Sequence, residues 1–372
     1  MPRISGPLPE PPTRMRKPTH RLQLAIEPLP LRAPFRIAGR AFAAMPALVA
    51  RIEQGACRGR GEASGVYYLK DDPPAMRNAL LARREAIESG IDRHALRALL
   101  PPGGARNAID CALWDLEARQ AGKPVWALAG GESPRALTTM FTLGADHPDT
   151  VAAGARACAS ARWLKLKLDG DVDADRARLC AARHARPDVD LAVDANQGYT
   201  VSTIKPLVAA LHDNGVRLLE QPFARGRDAD LDALRIGIPV VADESVQGLD
   251  ELDALAGRYQ VVNIKLDKCG GLTEALMMVE RARALGLKTM VGNMLGSSWA
   301  AAPAFVLAQR CDHVDLDGPT FIARDRALTV SYRDGRIDCS DDVWGGGMAT
   351  GEEIEAALSL VQEFPASTER AP

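Results

Sequence analysis

The chain has 372 residues, 47% of them hydrophobic and 25% charged, with 46 Lys and Arg against 48 Asp and Glu for a formal net charge of −2. That length suits a barrel-sized domain with a smaller companion, and the even charge balance without basic runs argues against nucleic acid or an anionic membrane as partner. Seven cysteines, at 57, 111, 158, 180, 269, 311 and 339, are scattered without CxxC spacing, which argues against a disulfide framework or a zinc site and leads us to expect a cytoplasmic protein.

Residues 1–20 are rich in Pro and Arg but lack an apolar centre, so they read as a flexible tail, neither signal peptide nor anchor. No later segment holds eighteen consecutive apolar residues, and no transmembrane helix is expected. From Arg21 to about Ala63, short alternating stretches (RLQLAIEPL, ALVARIEQG) broken by Pro and Gly predict a small antiparallel sheet. From about Pro74 to Gly122 the pattern turns helical, with Ala105, Ile109, Ala112, Leu113 and Leu116 forming a stripe of period 3.6 that Gly122 and Pro124 end. Strands followed by helices suggest a separate α+β unit over 21–134.

From residue 135 to 324 the rhythm becomes strand, loop, helix. The apolar runs are TTMFTLG, RWLKLKLDG, VDLAVDANQ, VRLLEQP, IPVVADES, QVVNIKLDK, KTMVGNM and HVDLDGP, and most intervals between them read as helices, as with Leu272, Leu276, Val279 and Ala282. Eight such strands predict a parallel α/β barrel, and nearly every run acquires a polar group at its C-terminal end, where barrel active sites lie. The last stretch, about 325–372, leaves this rhythm and is expected to return to the N-terminal unit.

Asp194 in VDANQG, Glu220 in LLEQP and Asp243 in VADES end three successive strands. Adjacent strand ends converge on one pocket, so the three acids should lie close together. Unaccompanied, they would repel and raise one another's pKa; a divalent cation relieves this, and an all-oxygen set favours Mg²⁺ or Mn²⁺ over zinc. Any one of them could instead cap a helix or pair with a lysine. Lys165 and Lys167 in WLKLKLDG are two apart on a strand and point to the same face, into the barrel. Lys265 in VVNIKLDK ends a strand further round, facing the same site from the opposite side, whereas Lys268 falls beyond the strand end and is expected in solvent. Two bases flanking one carbon are what a 1,1-proton transfer requires, one removing the proton and the other returning it to the opposite face. As a bland alternative, these lysines would only be counter-charges for the acids.

The ordered set K-x-K, D-x-N, E-Q-P, D-E-S and N-I-K, together with ALWDLEARQAGKPVWALAGG, resembles the enolase superfamily, specifically its muconate lactonising branch. The resemblance spans nearly the whole chain. It implies a modified (β/α)7β barrel under an α+β capping domain completed by the C-terminal tail. It also implies one Mg²⁺ per subunit (Mn²⁺ also serving) held by Asp194, Glu220 and Asp243, with Asn196 supporting the metal shell. Lys167 and Lys265 become the two acid/base groups and Lys165 an electrostatic assistant, acting on an enediolate formed when a proton leaves the carbon beside the substrate carboxylate.

Asp315 and Asp317 in HVDLDGP would face one way on the last strand and make an anionic pocket for a cationic group. Dipeptide epimerases of this superfamily bind the free α-ammonium of the dipeptide at such a D-x-D. The resemblance therefore implies a dipeptide epimerase, L-Ala-D/L-Glu first among substrates, in the metabolism of peptidoglycan peptides. Side-chain selection in the family comes largely from a capping-domain loop, here APFRIAGRAF, where Arg36 or Arg40 could fork onto a second carboxylate. Gly296 stands where many members carry Glu or Cys. Alternatives are an N-acylamino acid racemase, then a dehydratase, cycloisomerase or o-succinylbenzoate synthase, and, outside catalysis, a carboxylate-binding relative. The expected partner is a small-molecule substrate, with neither nucleic acid nor membrane involved, and a homo-oligomer is compatible with the sequence.

Overall fold

The computed structural model describes residues 19–37 and 40–346, without the side chains of residues 36–41. The N-terminal strands form two pieces. β1 (Arg21–Glu27), β4 (Ala47–Gln54) and β5 (Cys57–Ala63) pair antiparallel in the order β1-β4-β5, while β2 (Pro30–Ile37) and β3 (Arg40–Ala44) make a separate hairpin. Four helices follow: α1 (Pro73–Leu81), α2 (Arg84–Glu88), α3 (Arg93–Leu99) and α4 (Gly104–Ala121). Asp72 and Asp92 start α1 and α3 by accepting the backbone N–H three residues on, at 2.8 Å in each case. The apolar stripe of α4 is buried against the sheet, with Leu48, Ile52, Met76, Leu80, Ile109 and Leu113 at the centre of this smaller core.

After the short β6 (Leu137–Thr138), eight parallel strands follow: β7 (Met140–Leu143), β8 (Trp163–Lys167), β9 (Asp190–Asp194), β10 (Val216–Glu220), β11 (Val240–Ala242), β12 (Val261–Lys265), β13 (Lys288–Gly292) and β14 (His313–Asp315). They lie side by side in chain order, forming a nearly closed barrel. Between β7 and β14 the seam is bridged by Leu316, whose backbone N–H donates to Thr139 Oγ1 at 2.9 Å. Inside, Met140, Ala192, Leu218, Val241, Val261 and Met290 form an apolar plug, so the polar residues that follow on the same strands collect at the barrel mouth. The link from β10 to β11 has only a 3₁₀ turn, Asp228–Ala233, where the rhythm suggested a helix.

Beyond the barrel, β15 (Ser331–Arg333) and β16 (Arg336–Asp338) form a hairpin that pairs with β6. The chain then reaches the N-terminal unit: Trp344 Nε1 donates to the Arg60 carbonyl at 2.8 Å, and the Gly345 N–H donates to Asp115 Oδ1 at 3.0 Å. The tail at 1–18 and residues 347–372 lie outside the described residues. All seven cysteines are free, and among the described residues no helix is long and apolar enough to cross a membrane.

A buried junction fixes the unit of β1–β5 to the barrel. Glu62 on β5 accepts the Ser297 N–H at 2.7 Å and the Ser297 hydroxyl at 2.5 Å. Arg326 closes the charge by pairing with both Glu62 and Glu27, and its guanidinium lies 4.2 Å from the centre of the Trp299 ring. The Ser64 hydroxyl donates to the Leu295 carbonyl at 2.6 Å. Together these contacts tie down the loop after β13 that supplies Asn293, Met294 and Leu295 to the pocket described next.

Candidate active site

Asp194, Glu220 and Asp243 end or directly follow β9, β10 and β11 and are almost fully buried. Each offers a carboxylate oxygen within 4.8 Å of the other two. Burial, and then the charge of Asp194, pushes Glu220 up to about 7. Four ammonium groups stand among the acids. Lys165 Nζ lies 2.7 Å from Glu220, 2.8 Å from Asp315 and 3.4 Å from Asp194. Lys167 Nζ is 2.6 Å from Asp194 Oδ2, and Lys265 Nζ is 2.7 Å from Asp243 Oδ2. Lys268 is fully enclosed, not solvated as the sequence suggested: a helical turn at Leu266–Cys269 follows β12 at once and folds the side chain back under the mouth. All three of its N–H donors are used, on Asp243 Oδ1 and the Asp243 carbonyl at 2.6 Å each and on the Asn263 carbonyl at 3.0 Å.

Six carboxylates (Asp194, Glu220, Asp243, Glu244, Asp315 and Asp317) thus face four ammonium groups in and beneath one pocket. The all-oxygen triad fits one divalent cation of the hard, oxygen-seeking kind. Burial, and then the Asp243 charge, pushes Glu244 up to about 8, and its Oε2 is buried without a hydrogen-bond partner. Asn196 donates its backbone N–H to Asp194 Oδ1 at 3.0 Å from a positive φ of 42°, and its side-chain Oδ1 is buried and unpartnered.

Three supporting residues escaped the sequence reading. Asn263 donates to Glu220 Oε1 at 2.9 Å. Gln221 accepts the N–H groups of Asp243 and Ser245 at 2.9 and 3.1 Å, which fixes the turn carrying the third acid. Lys268 locks the rotamer of that acid. The signal for Gln221 was present, since E-Q-P and D-E-S both contain the partners, but it carries no hint of which atoms meet.

Lys167 and Lys265 sit at the ends of β8 and β12, the second and sixth of eight strands, so they approach the mouth from opposite sides. Asp315 ends β14, but Asp317 lies past the strand, at the start of a 3₁₀ turn (Gly318–Phe321). Both nevertheless line the pocket. Asp317 Oδ2 accepts the Thr142 N–H at 2.5 Å, and Asp315 keeps one buried oxygen, Oδ1, without a partner. Phe35, Phe42, Met45, Tyr67, Tyr68, Leu295 and Phe321 supply the apolar walls of this space of about 680 Å³. The side chains of Arg36 and Arg40 lie outside the described residues.

Comparison with known proteins accounts for this arrangement. The "Enolase C-terminal domain-like" family model matches residues 150–348, and the "Mandelate racemase / muconate lactonizing enzyme, N-terminal domain" matches residues 21–130. The chain belongs to the mandelate racemase/muconate lactonizing enzyme family of the enolase superfamily. It is 37% identical over 313 residues to the L-Ala-D/L-Glu epimerase of Escherichia coli, covering 84% of this chain and 97% of that enzyme. It is 41% identical over 249 residues to the N-acetyl-D-glutamate racemase of Pseudoalteromonas sp., covering 66% and 78% of the two chains. Among solved family members, the dipeptide epimerase of Methylococcus capsulatus, complexed with Mg and the dipeptide L-Arg-D-Lys, superimposes with a TM-score of 0.81 at 31% identity, covering 88% of this chain and 98% of that one.

Proposed function

We propose that this protein is a Mg²⁺-dependent dipeptide epimerase that inverts the α-carbon of the C-terminal residue, with L-Ala-D/L-Glu as the leading substrate. The observation that carries the proposal is the pairing of Lys167 and Lys265 with different acids of the triad from opposite strands of the barrel. Asp194, Glu220 and Asp243 would hold the metal, which supplies a fixed positive charge for the substrate carboxylate and for the electron density left when the α-proton departs. One lysine, as the free amine, takes that proton; the other, as ammonium, returns one to the opposite face. Lys165 contributes positive charge from below, and Asp315 and Asp317 offer the anionic end of the pocket to the substrate ammonium. The apolar walls exclude water from the reacting carbon. Seven free cysteines support a cytoplasmic setting.

Likeness to the N-acetyl-D-glutamate racemase favours a second reading, an N-acylamino acid racemase. Its blocked amine would leave the buried Asp315 oxygen uncompensated, which is why we rank it second. Both readings are tested by incubating the Mg²⁺-loaded enzyme in deuterium oxide with libraries of dipeptides and N-acylamino acids, followed by mass spectrometry. The proposal expects a one-deuteron gain in the C-terminal residue of dipeptides. Labelling confined to N-acylamino acids would overturn it.

A further inference from the structure

Asn293 follows the last residue of β13 and lines the pocket, yet its side-chain Nδ2 is buried without a hydrogen-bond acceptor. A donor withdrawn from water with nothing to receive its hydrogen is costly, so its position asks for a ligand oxygen. The sheet register says where that oxygen would be. Lys265, Gly292 and Asp315 stand opposite one another across β12, β13 and β14. At this level, then, an acid/base amine and an ammonium-binding carboxylate are separated by a single strand, and that strand contributes no side chain. A Cβ on Gly292 would come within 3.0 Å of Lys265 Cε and 2.7 Å of Asn263 Oδ1, so those two side chains fill the space over this strand and only glycine fits beneath them. One residue further along the chain, the Asn293 amide reaches the pocket. Gly318 makes room for it, since a Cβ there would lie 2.2 Å from Asn293 Nδ2.

In a dipeptide, the atoms between the inverted α-carbon and the free ammonium are one peptide group, with α-carbons about 3.8 Å apart. Two strand spacings of about 4.8 Å each separate β12 from β14, which leaves room for that unit plus one hydrogen-bond length at its ends. The order of groups along the substrate matches the order of strand ends: α-carbon at Lys265, peptide carbonyl at Asn293, ammonium at Asp315 and Asp317.

We propose that Asn293 donates its side-chain N–H to the peptide carbonyl of the substrate. This inference rests on the dipeptide reading and makes Asn293 a substrate-binding residue. It gives the enzyme a means of recognising the amide linkage itself, independent of the two side chains.

The test compares L-Ala-L-Glu with its thioamide analogue, in which the weakly accepting C=S replaces the peptide C=O, using the Mg²⁺-loaded full-length enzyme and its Asn293→Ala and Asn293→Ser variants. Deuterium incorporation gives kcat/KM. The wild-type protein should prefer the oxo substrate by roughly five- to tenfold. Asn293→Ala should lower the oxo rate by a similar factor, leave the thio rate nearly unchanged and so abolish the preference; Asn293→Ser should do the same, which guards against a folding defect in either variant. A preference that survives both substitutions, or equal losses on both substrates, would overturn the role of Asn293 while leaving epimerisation intact. A wild-type enzyme inert towards both compounds would instead overturn the dipeptide reading, and the inference with it.

Discussion

Replacing Asp317 with Asn isolates the charge of the anionic pocket from its shape. The backbone N–H of Thr142 donates to Asp317 Oδ2 at 2.5 Å, and an asparagine carbonyl oxygen can keep that bond. What disappears is the negative charge, and with it one charge-assisted hydrogen bond to a substrate ammonium, about 1.5–3 kcal/mol. Asp315 cannot compensate fully, because one of its oxygens is held by Lys165 at 2.8 Å. The expected loss in kcat/KM is therefore roughly 10- to 150-fold for dipeptides, with a much smaller change for N-acylamino acids, which have no ammonium. The pH profile adds a second readout. Burial, and then the neighbouring Asp315 charge, pushes Asp317 up to about 7, so as pH falls through that value the carboxylate takes up a proton and ceases to attract a cation. Dipeptide kcat/KM in the wild-type enzyme should decline on the acid side of about pH 7, and Asp317→Asn should remove that contribution. Deuterium exchange measured on both substrate classes from pH 5.5 to 9 decides the matter: equal losses on both, together with an unaltered acid limb, would refute the reasoning.

Three further outcomes are expected. Arg326→Met leaves Glu62, which is fully buried, without its counter-charge, and should cost about 3–5 kcal/mol in urea unfolding; a cost below about 1 kcal/mol would show that the junction is not under this electrostatic control. Lys268→Met removes two hydrogen bonds to Asp243 and one to the Asn263 carbonyl and should weaken Mn²⁺ binding by about 10- to 100-fold in titration calorimetry, with unchanged affinity ruling out a positioning role. Removing divalent metal with EDTA should abolish exchange and lower the unfolding midpoint, and Mg²⁺ at 100 times its dissociation constant should restore about 2.7 kcal/mol. An unfolding midpoint indifferent to Mg²⁺ would count against the triad as a metal site.

The barrel was readable because its strands are largely buried and appear as apolar runs, so Asp194, Glu220 and Lys265 stood out as the charges at their C-terminal ends. Period two placed Lys165 and Lys167 on one face, and both are buried at the mouth. The same logic failed one turn later. Lys268 looked solvated because nothing in LDKCGG announces that the helical turn after β12 bends back toward Asp243. Asp317 was read as strand for a similar reason, although β14 stops at Asp315 and the pocket is completed by the turn after it. Asn263 is the first residue of the N-I-K motif, but nothing there ties its amide to Glu220, and Asn293 carried no signal, since an amide beside an apolar run is ordinary. The junction of Glu27, Glu62 and Arg326 joins residues up to 299 positions apart, beyond any local pattern.

The two-base geometry is tested most directly by following solvent deuterium into each epimer of the substrate separately, in Lys167→Ala and in Lys265→Ala. Each variant should lose interconversion while retaining exchange of the one epimer whose α-proton faces its surviving lysine, and the two variants should retain opposite epimers. Interconversion persisting in both, or exchange confined to the same epimer in both, would contradict the placement of the two amines on opposite faces of the reacting carbon.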